Sequence, residues 1–411
     1  MSSDRTRETR SSSRSEASVR TARRGWAYTS MVLLVAMVLA ACGTDEAPAE
    51  DAGGNGTEAA AQEAESAESP EATGESVAWR YATPLPQGTS VGDGFEWFAE
   101  EVESRTDGQV SWEMFWGGSL LGSSDVVAGV RDGQADVGYL TASYSPADFP
   151  LWAIGDIPLV TSDAEASLRA FTRLYEENDL FRAEFEDQGF HVLHFFPVPP
   201  TTVGTADPVE SLDDLDNLRI RSIGALGSAL EAVGANAVGL GLEEVFESLD
   251  RGVLDGYTQV TFDLGVAASL HEVAPNVLHP RLGSGMSVAT VINSDAWEAL
   301  DAETQQVIGE AADDYVVAAV EILMGVEDRA CDALLDDGTV SLSVLSDQDV
   351  DAWRDAAQDP LIEAWVERAV DAGYDEADVR GLFDQYTEYV AEYETESTYE
   401  IGVERCIDRA S

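Results

Sequence analysis

The chain has 411 residues, 78 acidic and 23 basic, for a formal charge of −55. Every basic residue is arginine; there is no lysine. Such a charge repels nucleic acid and anionic membrane surfaces, and the missing lysine excludes P-loop, Schiff-base and Ser-x-x-Lys chemistry.

Residues 1–30 hold seven arginines and three acids, a basic start to an acidic chain. The apolar run MVLLVAMVLAA follows from Met31 to Ala41. It is too short to span a bilayer as a helix and the right size for a signal-peptide core. It ends in Leu39-Ala40-Ala41-Cys42, which resembles a bacterial lipobox, where the cysteine is lipidated and becomes the new N-terminus. An ordinary secretory signal with an incidental cysteine is the alternative, and Arg23-Arg24-Gly25-Trp26 leaves twin-arginine export open. Residues 1–41 are thus expected to be a lipoprotein signal peptide. Residues 42–76, acidic and rich in Ala, Gly, Ser and Pro, cannot bury enough surface to offset chain entropy and read as a disordered tether. Folded structure is expected from Val77 to about residue 400, long enough for two lobes.

Val77–Ala82 alternates like a strand, and a helix is predicted over Gly92–Thr106. Strand patterns over Gln109–Trp116 and Ala135–Leu140 flank a short helix at Ser124–Asp132. Helix Ala164–Asn178 and strand Phe190–Phe196 continue the alternation, followed by strand Leu218–Ser222 and helix Ala225–Val233. Helix Leu242–Arg251 and strand Val253–Gln259 complete an α/β order that predicts mostly parallel strands. From Ala302 to about Leu335 the pattern is helical without proline, roughly 50 Å at 1.5 Å per residue, long enough to cross two lobes. A strand at Thr339–Leu345 precedes an acidic helical tail whose aromatic stripe, including Trp353, Trp365 and Tyr386, reads as core packing. Cys331 and Cys406 are the two cysteines beyond Cys42. They form either a disulfide, favoured outside the cytoplasm, or two unrelated thiols.

Catalytic motifs are missing. There is no Gly-x-Ser-x-Gly, His-Glu-x-x-His or paired CxxC, and Gly239-Leu240-Gly241 does not complete a dinucleotide fingerprint. His191 and His194 lie three apart on a strand and so point to different faces, a poor metal pair. Asp347, Asp349 and Asp351 imitate the start of an EF-hand, but Ala352 and Gln358 replace the required glycine and glutamate. No enzyme, cofactor or metal site is expected; a cell-surface hydrolase is the rival that missing nucleophile motifs disfavour.

Several segments together resemble the extracytoplasmic solute-binding subunit of tripartite ATP-independent periplasmic (TRAP) transporters, the dicarboxylate-binding-protein family. They are GGSLLGSSDVVAGVRDGQADVGYL at Gly117–Leu140, SPADFPLWAIGDIPLV at Ser145–Val160, DPVESLDDLDNLRIRS ending at Ser222, and ALEAVGANAVGLGLEEVFESLDRGVLDGYTQV at Ala229–Val260. SVATVINSDAWEALDAETQQVI resembles the family's return strand and long helix, so the likeness runs in order over about residues 77–345.

The resemblance implies an α/β, two-lobe periplasmic-binding-protein-like fold with a hinge and a long helix bridging both lobes. Lobe I would hold 77–198 and 287–326. Lobe II would hold 199–286 and 327–400 with the C-terminal helices, leaving 401–411 as a tail. It also implies capture of a small organic acid and its delivery to membrane permease subunits, from a position outside the cytoplasm on a lipid anchor. Related lobes would serve a binding lipoprotein of an ATP-driven importer or of a ligand-sensing system.

The family's cleft arginine matches Arg221, whose planar fork suits a carboxylate and which ends its strand before the Gly224 turn. A structural ion pair is the alternative role. Arg219 shares the strand face and is expected nearer solvent, paired with surrounding acids. Gln259 stands where the family commonly has asparagine, with the same amide chemistry. The segment Pro197–Val209 lacks the second arginine of many acid-binding members, which argues against a dicarboxylate. Tyr144, Trp116 and Phe196, with Phe195, lie near predicted strand ends and are candidates for the ligand's apolar body, core packing being the alternative.

Overall fold

The computed structural model describes residues 76–410, all within one unit, Ser69–Ser411. The expected signal peptide, tether and Cys42 anchor lie outside the described residues.

Eleven strands form two sheets. The first is built from β1 (Val77–Ala82), β2 (Val110–Phe115), β3 (Val137–Leu140), β4 (Phe190–Phe195) and β10 (Ala289–Asn293), in the order β2-β1-β3-β10-β4. The second takes β5 (Thr201–Thr205), β6 (Arg219–Arg221), β7 (Asn236–Val238), β8 (Gly256–Thr261), β9 (Asn276–His279) and β11 (Ser341–Val344), in the order β11-β9-β5-β8-β6-β7.

The strands are mostly parallel, as expected: four of five in the first sheet and five of six in the second run one way. The exceptions share one cause. β5 follows the crossing from the first sheet to the second, β10 follows the return, and each is antiparallel to both of its neighbours. Ala289, which begins β10, pairs with Leu140 and Phe195, which end β3 and β4. An arriving strand therefore starts at the level where its parallel neighbours finish. The carboxyl ends of the parallel strands and the amino ends of the crossing strands meet at the junction of the lobes. The two crossing segments are stitched to each other by Phe196 N–H to Val288 O at 3.0 Å and Thr201 N–H to Gly283 O at 3.0 Å.

Helix Ser90–Arg105 starts on Thr89, whose hydroxyl accepts the Gly92 N–H. The 36-residue helix Ala302–Asp337 starts on Asp301 and stops at Gly338, whose left-handed φ of 68° suits glycine. It runs along helix Ser90–Arg105, with Arg105 on Asp314 at one end and Arg329 on Asp93 at the other. It also contacts helix Phe262–Ala267 of the second lobe.

The C-terminal helices, expected in the second lobe, contact both lobes. In helix Asp347–Asp371, the Trp353 indole donates to Ala229 O at 2.7 Å, whereas Trp365 donates to Pro150 O at 2.8 Å in the first lobe. Pro360 lies between these anchors. Helix Glu376–Glu394 packs on Ala164–Glu177 of the first lobe, where Tyr386 stacks near Phe171 at 4.6 Å. An apolar stripe reveals that a helix is buried without revealing against which lobe. Residues 402–410, expected as a tail, form helix Gly402–Ala410, and its Cys406 is disulfide-bonded to Cys331 of the long helix.

Candidate functional site

Where the lobes meet, a narrow cavity is lined by Leu85, Tyr139, Tyr144, Arg221, Gln259 and Leu264, among others. Most of its wall is apolar. Its one cation comes from β6.

Arg221 ends that strand and is 1 % exposed. Its Nε donates to Leu240 O at 3.1 Å, its Nη1 to Thr258 O at 3.3 Å and Gln259 O at 3.4 Å, and its Nη2 to the Tyr144 hydroxyl at 2.6 Å. These acceptors are carbonyls and one phenol. Among the described residues no carboxylate lies within 4.0 Å of this guanidinium, in a chain with 78 acids. A buried charge without a counter-charge is costly, and a guanidinium cannot neutralise itself by losing a proton. Four acceptors also leave at least one of its five N–H donors uncommitted.

Arg219 behaves as expected. Its Nε and Nη2 grip Asp255 at 2.8 and 2.6 Å, and its side chain is 46 % exposed. That pair holds Asp255 below the usual carboxylate range.

Gln259 is at the cavity, but its amide is occupied by the protein. Its Oε1 accepts from Ile223 N–H at 2.7 Å and from Ser222 Oγ at 3.2 Å. Its Nε2 donates to Gly285 O at 3.1 Å and to Ser143 Oγ at 3.3 Å. That uses its full complement of donors and acceptors. Its φ of 54° is left-handed, a conformation that asparagine tolerates well and that is uncommon for glutamine. Gln259 therefore positions the site: one amide ties the turn after β6 to Ser143 of the opposite lobe.

Gly224 completes the junction. Its φ of 57° needs glycine, and a Cβ there would come within 3.1 Å of Asp156 Oδ2 and 3.3 Å of Ser143 Cβ. Burial pushes the Asp156 carboxyl up to about 7. The lobes are joined in this closed arrangement by Tyr144 on Arg221, by Ser143 on Gln259, and at the rim by Ser123 Oγ on Glu243 Oε2 at 2.8 Å.

Trp116 and Phe196 do not line the cavity. Trp116 meets Tyr81 edge-on at 5.9 Å. Phe196 is buried between His194 and Tyr315, at 4.6 and 5.8 Å, and Phe195 packs with Phe171 at 5.6 Å. Phe195 and Phe196 belong to the first lobe's core and Trp116 packs half-buried against it, because the strand ends that carry them turn these rings into the sheet's own packing. The cavity instead uses Tyr139, Leu264 and Met286, which sequence reasoning did not name. Tyr139 carried a usable signal, standing next to the last residue of β3.

A family model described as bacterial extracellular solute-binding protein, family 7, matches residues 81–368. The ectoine-binding periplasmic protein TeaA of Halomonas elongata is 27% identical over 290 residues, 69% of this chain and 83% of its own length. The ectoine/5-hydroxyectoine-binding periplasmic protein UehA of Ruegeria pomeroyi is 26% identical over 304 residues, 72% of this chain and 87% of its own. A TRAP periplasmic solute-binding protein from Desulfovibrio salexigens, solved as an open complex, superposes with a TM-score of 0.64 at 28% identity, covering 78% of this chain and 98% of that one.

Proposed function

Because the chain belongs to the bacterial extracellular solute-binding proteins of family 7, the solute-binding subunits of TRAP transporters and not enzymes, we propose that it captures a small monocarboxylate through Arg221. The observation that carries this reading is the buried guanidinium without a carboxylate partner, set in an otherwise apolar cavity. A ligand carboxylate supplies the missing counter-charge, and water exclusion strengthens the pair. The absence of a second cation from the lining favours one carboxylate over two. Tyr144 shares the cavity with Arg221 and belongs to the opposite lobe, so it reports closure to the anchor.

Closure is a hinge motion about the two stitched crossing segments, with ligand contacts to both lobes selecting the closed state. Gly283 and Gly285, both with positive φ, lie in the returning segment. The closed form delivers its ligand to a membrane permease driven by a cation gradient. Export and lipidation at Cys42 hold the protein on the outer face of the cytoplasmic membrane, with the acidic segment after Cys42 as a leash. Replacing Cys42 with Ala would release it from the membrane fraction if this anchor operates.

A thermal-shift screen of the purified chain against organic acids and neutral analogues, at high salt, tests the substrate class. A ligand at 100 times its dissociation constant stabilises the fold by about 2.7 kcal/mol. Stabilisation by carboxylates and not by their amides supports the reading. Stabilisation by uncharged compounds alone overturns it.

A further inference from the structure

The Arg221 cavity adjoins a second narrow space, and Leu85, Tyr139, Leu264 and Met286 line both. At the far side of the second space are Thr89, Ser90 and Asp263. Asp263 is 2 % exposed. Its Oδ2 accepts the Ser90 N–H at 2.8 Å, from the first turn of helix Ser90–Arg105, and its Oδ1 accepts Thr261 Oγ1 at 2.6 Å.

Two donors satisfy part of this carboxylate's capacity of about four, and a helix N-terminus supplies roughly half an elementary charge. Among the described residues no arginine lies within 4.0 Å of Asp263, and the chain has no lysine. Behind it sits Glu327, buried in the long helix, whose carboxyl is raised by burial and then by the charge of Asp263. Asp263 therefore leaves this end of the site negative where the Arg221 end is positive; Arg405 lies 3.7 Å from Glu327 and offsets part of that charge. Between the two poles stands Tyr139, 6 % exposed, whose hydroxyl has no hydrogen-bond partner among the described residues.

We propose that Asp263 is a second, negative pole of the ligand site and that the ligand is a zwitterion. Its carboxylate meets Arg221, its compact apolar body lies along Leu85, Leu264 and Met286, and its cationic group faces Asp263, with the Tyr139 hydroxyl as a hydrogen-bond partner between. The proposal rests on the reading of Arg221 as the carboxylate anchor. Opposite charges at the two ends would also orient the ligand and repel a second carboxylate.

Titration calorimetry on the purified chain, at fixed high salt, tests this with matched probes. These are 4-aminobutanoate against pentanoate, ectoine against cyclohexanecarboxylate, and any acid found in the screen against its amino-substituted analogue. The zwitterion of a pair is expected to bind at least about tenfold more tightly. Asp263→Asn is expected to erase that preference while the simple carboxylate binds as well as before or better. Asp263 also caps a helix, so Tyr139→Phe provides a second variant, in which the zwitterion's affinity falls about threefold or more beyond any change for its matched carboxylate. Equal or tighter binding of the simple carboxylates by the wild-type chain overturns the proposal whatever the variants do. So does a preference that survives Asp263→Asn. Carboxylates that bind without the preference overturn the second pole alone, whereas a screen in which no carboxylate binds overturns the Arg221 reading with it.

Discussion

At the outer end of β6, Arg219 is half exposed and clasped by Asp255; at the inner end, two residues on, Arg221 is buried and holds only carbonyls and a phenol. The two side chains have the same chemistry and the same strand. An acid-rich surface supplies a partner to any exposed cation, and such a pair contributes little, roughly 0–1 kcal/mol. The interior supplied none to Arg221, although desolvation makes that charge the more expensive one to leave alone. What the difference teaches is that burial without a counter-charge, and not the presence of arginine, is what separates Arg221 from Arg219 and makes it the proposed anchor.

The first way to break this comparison is through Gln259. Gln259→Leu leaves the Ile223 N–H and the Gly285 carbonyl without their partner and unties the β6 turn from Ser143. Each unsatisfied buried group costs about 1–3 kcal/mol. The expected result is a clear fall in melting temperature together with weaker ligand binding. An unchanged melting temperature would mean that the amide does not hold the site.

A second test uses a buried charge that can be neutralised. Tyr399 donates to Glu327 Oε1 at 3.0 Å, and burial pushes the Glu327 carboxyl up to about 8. Arginine must keep its charge, but this acid can take a proton. Its folded pKa lies above the unfolded value near 4.5, so its contribution is full below about pH 4.5 and is lost as pH rises towards 8. Glu327→Gln stays neutral throughout. Its stability in urea titrations should decline less steeply than wild type between pH 5 and 8, by up to about 1 kcal/mol per pH unit. Parallel slopes would contradict the assignment.

Much of the frame was legible in the sequence, since periodicity and caps are local. The long helix, expected over Ala302–Leu335, runs over Ala302–Asp337, and the exposed pairing of Arg219 follows from its place at the outer end of β6 beside an acidic surface. The direction of β5 and β10 was not legible, because it depends on where the chain crosses between lobes. Phe196 and Trp116 read as ligand contacts because strand ends border the cleft, yet only packing decides which way a ring turns. Gln259 was found for its chemistry, but its four internal hydrogen bonds depend on groups up to 116 residues away. Asp263 was one acid among many until its burial set it apart.

The most direct test is titration calorimetry of a carboxylate from the screen against wild type, Arg221→Ala and Arg219→Ala. Truncating one partner of a buried charge pair costs roughly 2–5 kcal/mol, so Arg221→Ala should lose about 30-fold or more in affinity. Arg219→Ala should stay within about threefold, as an exposed pair away from the cavity predicts. Binding that survives in Arg221→Ala, or that falls equally in both variants, would contradict the assignment of Arg221 as the anchor.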